Sequence, residues 1–329
     1  MAFTVDSAFN VFNMNSVNLN PDRTKTARSS RDWLISQLER LPNTVAAFPR
    51  LYEGMHIKFG SFARDVKILP LNDIDLILTF AADGTTYTEY IYGKYYKLNV
   101  ANSNSNLLKL ASDDGSLNST KLVNKIISSI KPLSTYSEAA IHKRGEAATL
   151  KLISYEWNFD IVPAFFTTEK FYLIPDGSGN WKATDPRVDQ NNTTTVNQKH
   201  NGQILQIIRT IKYWQKRSTM PTMSSYLLEV IILQYFNSQV EIPKYLDVNL
   251  INFWYHLKTA IYQSIQDPKG FSGELNNLSY EDRLKISNKA HFDYSKGLEA
   301  YNLEIKEGNQ EKSIKKWAEI FGGEFPTYG

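Results

Sequence analysis

The chain has 329 residues, 42% of them hydrophobic and 22% charged, with a formal net charge of +3. That length supports a sizeable core in one bilobed unit or two domains, and so small a charge does not by itself argue for nucleic-acid or membrane binding. With no cysteine, a disulfide framework, a thiolate nucleophile and a cysteine-based zinc site are all excluded.

The opening "MAFTVDSAFNVFNMNS" lacks the basic and apolar stretches of a signal peptide. No run of roughly 18 apolar residues follows, so no membrane span and a cytoplasmic location are expected. No internal repeat of about 20 to 50 residues is visible. The first helix is predicted from about Thr24 to Leu41, after Pro21-Asp22 with Asp22 as cap, and stops before Pro42. Its apolar positions Trp33, Leu34, Leu38 and Leu41 share one face.

"GMHIKFGSFARD" reads as a short strand ending at Gly60-Ser61, then a turn or short helix, then a strand running from the Asp-x-Asp to Phe80. Residues 83–119, polar and rich in Tyr, Asn and Ser, read as an irregular insertion whose Tyr cluster has strand character. A helix follows over about 119–130, then strands over 147–155 and 158–166. The stretch "IPDGSGNWKATDPRVDQNNTTTVNQKHNGQ" reads as the passage between lobes. Beyond it, helices are predicted near 201–217, 224–238, 247–265, 277–302 and 310–320. Mixed elements first and helices afterwards indicate an α+β lobe over 1–180 and a helical lobe over 181–329.

Asp73 and Asp75 stand two apart at the start of an apolar strand, so both carboxylates project to one face. Like charges held together repel and call for a cation. Asp160 sits in a second strand among Phe159, Ile161, Val162 and Pro163, where it too needs a partner. If the strands pair, three carboxylates converge. Hard oxygen ligands suit Mg²⁺ or Mn²⁺, and two such ions about 4 Å apart assist in-line phosphoryl displacement. Gly60-Ser61, twelve residues before Asp73, offers backbone N–H groups and a hydroxyl to a triphosphate. Each motif alone also has a structural reading, as a turn, a cap or a paired carboxylate.

Gly-Ser, Asp-x-Asp and a distant strand Asp together form a pattern that resembles the polymerase-β-like nucleotidyltransferase superfamily. "GSFARDVKILPLNDIDLIL", "FDIVPAF", "VNQKHNGQILQIIRTIKYWQKR" and "KKWAEIFGGEFP", in this order, resemble the bacterial CD-NTases, relatives of animal cyclic GMP–AMP synthase and oligoadenylate synthase. The resemblance implies a mixed-sheet nucleotidyltransferase core and an α-helical C-terminal lobe of the oligoadenylate-synthase type, with the active site in the cleft. It implies two Mg²⁺ or Mn²⁺ ions on Asp73, Asp75 and Asp160, and NTP substrates joined into a cyclic di- or trinucleotide for antiphage signalling (CBASS). Lys212 falls where the family places a lysine on the donor triphosphate; a solvated basic edge of Arg209, Lys212 and Lys216 is the other reading. Ser225-Tyr226 falls where a tyrosine stacks on the donor base, or Tyr226 packs in the helical core.

Without cysteine, the zinc-dependent double-stranded DNA activation of the animal relatives is not expected. A linear template-independent polymerase and a silent nucleotide-binding regulator are the competing readings. The terminal Gly329 is compatible with being joined to target proteins by a ubiquitin-transfer-like partner enzyme, as the resemblance implies for some members.

Overall fold

The computed structural model describes residues 2–91, 94–103, 105–133, 136, 139–217, 220–221 and 223–329. In chain order its helices are α1 (Val5–Phe12), α2 (Pro21–Leu38), α3 (Leu41–Thr44), α4 (Gly60–Ala63), α5 (Ser119–Ile130), α6 (Pro186–Lys199), α7 (Ile204–Lys216), α8 (Ser225–Ser238), α9 (Leu246–Ala260), α10 (Tyr280–Ile305) and α11 (Gln310–Phe321). A π-turn, Asn13–Val17, extends α1. The strands are β1 (Ile57–Phe59), β2 (Asp73–Phe80), β3 (Thr86–Tyr90), β4 (Tyr95–Asn99), β5 (Ala140–Arg144), β6 (Ala147–Lys151), β7 (Asn158–Phe166), β8 (Tyr172–Pro175) and β9 (Trp181–Thr184). The chain divides into two compact units: Pro21–Arg64 with Leu71–Val188, and Met1–Asn20 with Asp65–Pro70 and Asp189–Gly329.

The first unit is built on a mixed sheet in the order β1-β2-β7-β8-β9-β4-β3, with β6 on β7 and β5 on β6. β2 and β7 run parallel at its centre. Both are near-continuous apolar runs after their acidic starts, as strands covered on both faces must be. The other edge of β7 is shared, with β6 pairing Asn158–Ile161 and β8 pairing Phe165 and Phe166. Pro163, which cannot donate to a ladder, falls in the interval between them.

Several expectations change here. α2 begins at Pro21, three residues early, with Asp22 inside its first turn, and ends at Leu38. Leu34, Leu38 and Leu41 are buried, but Trp33 is 40% exposed; Ala27 and Arg31 complete the buried face. Pro42 lies in the first turn of α3, where its missing N–H costs nothing. The Tyr-rich insertion is ordered as the β3–β4 hairpin, with Thr86 opposite Asn99 and Tyr90 opposite Tyr95; residues 92, 93 and 104 of that stretch lie outside the described residues. The stretch read as the passage between lobes does contain the crossing at 188/189, but it is structured, holding the β8–β9 hairpin and α6.

The second unit is helical. Ile204, Ile207, Ile208 and Ile211 of α7 are all buried, as their spacing predicts, with Trp214 beside them. Residues 1–20, assigned from sequence to the lobe 1–180, belong to this unit instead. The reason is aromatic: Phe9 lies 4.9 Å from Trp317 and 5.0 Å from Phe325 between ring centroids, and Phe12 lies 5.0 Å from Phe321. Among the described residues, no helix is long and apolar enough to cross a membrane.

Candidate active site

Asp73 and Asp75 open β2 on one face, and Ile74 between them is buried on the other. Parallel pairing sets Asp73 opposite Asn158 and Asp75 opposite Asp160. β1 sets Phe59 opposite Asp75, and β6 sets Thr149 opposite Asp160. Phe59, Asp75, Asp160 and Thr149 therefore form one row across four strands. The two carboxylates are neighbours on central strands, whose spacing is about 4.8 Å.

Side chains complete the row. Thr149 Oγ1 donates to Asp160 Oδ1 at 2.6 Å, fixing the orientation of that carboxylate. The carboxylate of Asp75 lies against Gly60, which has φ +76°; a Cβ there would come within 1.8 Å of Asp75 Oδ2. Gly60 is needed twice over, for its backbone conformation and for the close approach. Gly60 and Ser61 open the short helical turn α4 directly after β1. All five residues, Gly60, Ser61, Asp73, Asp75 and Asp160, are half-buried.

Among the described residues, no three His, Asp or Glu side chains surround one ion position as they stand. The donor set nevertheless fits a hard divalent cation. Asp75 and Asp160 present carboxylate oxygens on adjacent strands, and such hard oxygen donors are what these ions take.

The other sequence-predicted residues lie in the helical unit. Lys212 is not part of a solvated edge: it is 7% exposed and its Nζ pairs with buried Glu229 at 2.6 Å. Arg209 is likewise engaged, donating from Nε to Asn18 Oδ1 at 2.7 Å and from Nη1 to the Asp65 carbonyl at 2.6 Å. Ser225 is exposed at the first turn of α8, behind the cap Ser224. Tyr226 is half-buried and its hydroxyl lies 2.8 Å from Asp189 Oδ1 and 2.9 Å from Asp267 Oδ1. Burial, followed by these two carboxylates, pushes its phenol far above the ordinary tyrosine range.

Sequence reasoning passed over Thr149, Glu229, Asp189, Asp267 and Lys269. Only Thr149 left a trace, as a polar residue in the apolar run of "AATLKLISY".

A mixed sheet with a Gly-Ser turn packed on an Asp-x-Asp strand, and a third Asp in register beside it, defines a nucleotidyltransferase. Two solved structures share the fold over nearly their whole length. E. coli MS115-1 CdnC, solved with ATP, superposes with a TM-score of 0.72 at 16% identity, covering 98% of each chain. Vibrio cholerae DncV cyclic AMP–GMP synthase superposes with a TM-score of 0.69 at 12% identity, covering 99% of this chain and 98% of its own. No protein-family profile matches the chain. A probable cyclic nucleotide synthase of Bacillus cereus (strain VD146) is 46% identical over 337 aligned positions, spanning 100% of this chain and 99% of that protein. The chain belongs to that family, the bacterial CD-NTases, and is a nucleotidyltransferase that makes cyclic nucleotides.

Proposed function

We propose that this enzyme joins two or three NTPs in sequence, releasing pyrophosphate at each linkage, and closes the ring to give a cyclic di- or trinucleotide messenger for antiphage signalling. The register of Asp75 with Asp160 carries this reading. Asp73, Asp75 and Asp160 would hold Mg²⁺ or Mn²⁺, which when bound supplies positive charge for the phosphates and lowers the pKa of an attacking hydroxyl. Asp160 accepts the proton of the attacking sugar hydroxyl. The bond from Thr149 to Oδ1 holds that carboxylate in place. The hydroxyl oxygen bonds to the α-phosphorus of the donor as the bond to the β-phosphate bridging oxygen breaks. Ser61 and the amides after Gly60 hold the triphosphate. In the helical unit, Lys212 and Tyr226 are the residues that the family resemblance assigns to the donor triphosphate and to stacking on the base.

Relatives support the stepwise order and the substrates. DncV is known in complex with the linear intermediate pppA(3′,5′)pG, and with GTP. CdnC forms a complex with a HORMA protein, which supports a regulatory partner for this chain as well.

The test is to incubate the purified protein with all four labelled NTPs and Mg²⁺ or Mn²⁺, then treat with phosphatase and analyse by mass spectrometry. A phosphatase-resistant product with the mass of a cyclic di- or trinucleotide is expected, and Asp75→Asn or Asp160→Asn abolishes it. A ladder of linear products would replace cyclisation by polymerisation, and undiminished turnover in either variant would overturn the site.

A further inference from the structure

Tyr226 is held by a cluster that the reaction as described does not use. Lys269 Nζ stands over its ring, 3.8 Å from the centroid. The same ammonium donates to the Tyr226 hydroxyl at 2.5 Å, and lies 3.2 Å from Asp267 Oδ1 and 3.4 Å from Asp189 Oδ2. The side chain of Lys269 is 11% exposed and that of Asp267 is wholly buried. Asp189 comes from α6, Tyr226 from α8, and Asp267 and Lys269 from the loop after α9, so three segments meet at one phenol.

That loop is closed by its own hydrogen bonds. The Asp267 amide donates to the Gly273 carbonyl at 2.8 Å, and the Leu275 amide to the Ile265 carbonyl at 2.7 Å. Glu274 Oε1 accepts the amides of Ile265 at 2.9 Å and Asn276 at 2.6 Å. Asp267 in turn takes the Lys269 amide at 3.1 Å and the Ser272 amide at 3.0 Å. Burial raises the Asp267 carboxyl, and these amides, the Lys269 charge and the Tyr226 hydroxyl outweigh it, holding the group below its usual range. A rigid loop therefore delivers a cation to one chosen face of one ring.

We propose that Lys269 is a positioning residue for the donor base: together with Asp189 and Asp267 it grips the Tyr226 hydroxyl and so fixes the tilt at which the ring, packed on the helical core behind it, meets a purine or pyrimidine. This rests on Tyr226 facing the base. A cation packed on an aromatic face is attracted by the ring quadrupole and resists displacement. Base–aromatic stacking contributes about 1–3 kcal/mol per base, and a ring free to rotate forfeits part of it. Because Lys269 acts through the ring, its loss weakens ligands that carry a base and spares those that carry only phosphates.

The experiment is titration calorimetry with ATP and, separately, inorganic tripolyphosphate, in Mg²⁺, on the wild type, Lys269→Met, Lys269→Arg, Tyr226→Ala and Tyr226→Phe, each with a melting curve. For folded Lys269→Met, we expect ATP binding about tenfold weaker, tripolyphosphate binding within twofold of wild type, and recovery in Lys269→Arg. Equal losses for ATP and tripolyphosphate would make Lys269 a simple phosphate-binding charge and overturn the inference. Unchanged ATP binding in Lys269→Met, with a loss in Tyr226→Ala, would overturn the inference and leave the stacking role intact. Unchanged binding in Tyr226→Ala would remove the stacking role and the inference with it. If Lys269→Met does not fold, Tyr226→Phe decides: it keeps the ring and cuts the hydroxyl links, so a base-selective loss supports the positioning role and unchanged ATP binding rejects it.

Discussion

Gly60 is the smallest residue in the candidate site and the least replaceable. A methyl group at that position would overlap Asp75 Oδ2 at 1.8 Å, and φ +76° is unfavourable for any residue with a Cβ. Gly60→Ala must push the Asp75 carboxylate away, so turnover should fall at least a hundredfold while melting drops by a few degrees. Wild-type-like turnover in this variant would mean that the position of Asp75 is not what catalysis depends on. The Lys212–Glu229 pair makes a different prediction. Both groups are less than a tenth exposed, and removing one takes from the other its buried ion-pair partner, a loss that typically costs about 3–5 kcal/mol. Glu229→Ala should lose stability on that order in urea titration, and a double-mutant cycle with Lys212→Met should recover more than about 1 kcal/mol of it. Additive losses would show the pair to be uncoupled. The Gly-Ser and the three Asp residues were legible in the sequence because each breaks the pattern around it. Glu229 was not, since one acid in "SSYLLEVIIL" looks like any exposed helix position until packing turns it inward.

The elements read from sequence divide by length. β2, β7 and α5 have the bounds their patterns predict, because long periodic or apolar runs carry the signal. β8 and β9, four residues each and flanked by Gly and Pro, do not carry it, and a polar Gly-rich stretch hides a hairpin. What orders that hairpin is local. Asp176 Oδ1 accepts the amides of Ser178 at 2.8 Å and Asn180 at 3.0 Å, and Oδ2 accepts Ser178 Oγ at 2.6 Å. Trp181, fully buried beyond the turn, donates from Nε1 to the Leu117 carbonyl at 2.9 Å. Asp176→Ala leaves the two amides to water, and a loss of about 1–2 kcal/mol is expected by chemical denaturation. Asp176→Asn keeps Oδ1 as an acceptor and should lose less than half as much; equal losses would show that the turn is held by something other than these amides.

At the scale of the whole chain, the sequence boundary near residue 180 lies close to the last crossing between units, but residues 1–20 and 65–70 join the helical unit because membership is decided by long-range packing. The chain passes between the two compact units four times, at 20/21, 64/65, 70/71 and 188/189. Only the last of these points falls in a stretch that composition marks, the Gly-, Pro- and Asn-rich residues 174–203. One consequence of the N-terminal segment joining the helical unit is electrostatic. Asp247 at the start of α9 is 7% exposed, and burial, together with the charges of Glu304 on α10 and Asp6 on α1, raises its pKa to about 6. A carboxyl with a folded pKa above its unfolded value of 3.8 binds more protons folded than unfolded between those two values. Its effect on stability is therefore absent below about pH 4, grows unfavourable as pH rises to about 6, and levels off above, reaching on the order of 3 kcal/mol. Asp247→Asn, which keeps an acceptor oxygen and carries no charge, should melt a few degrees above wild type at pH 7.5, with the difference shrinking steadily to nothing near pH 4. A gap independent of pH, or one that widens in acid, would show that the ionisation of Asp247 does not limit the stability of the helical unit.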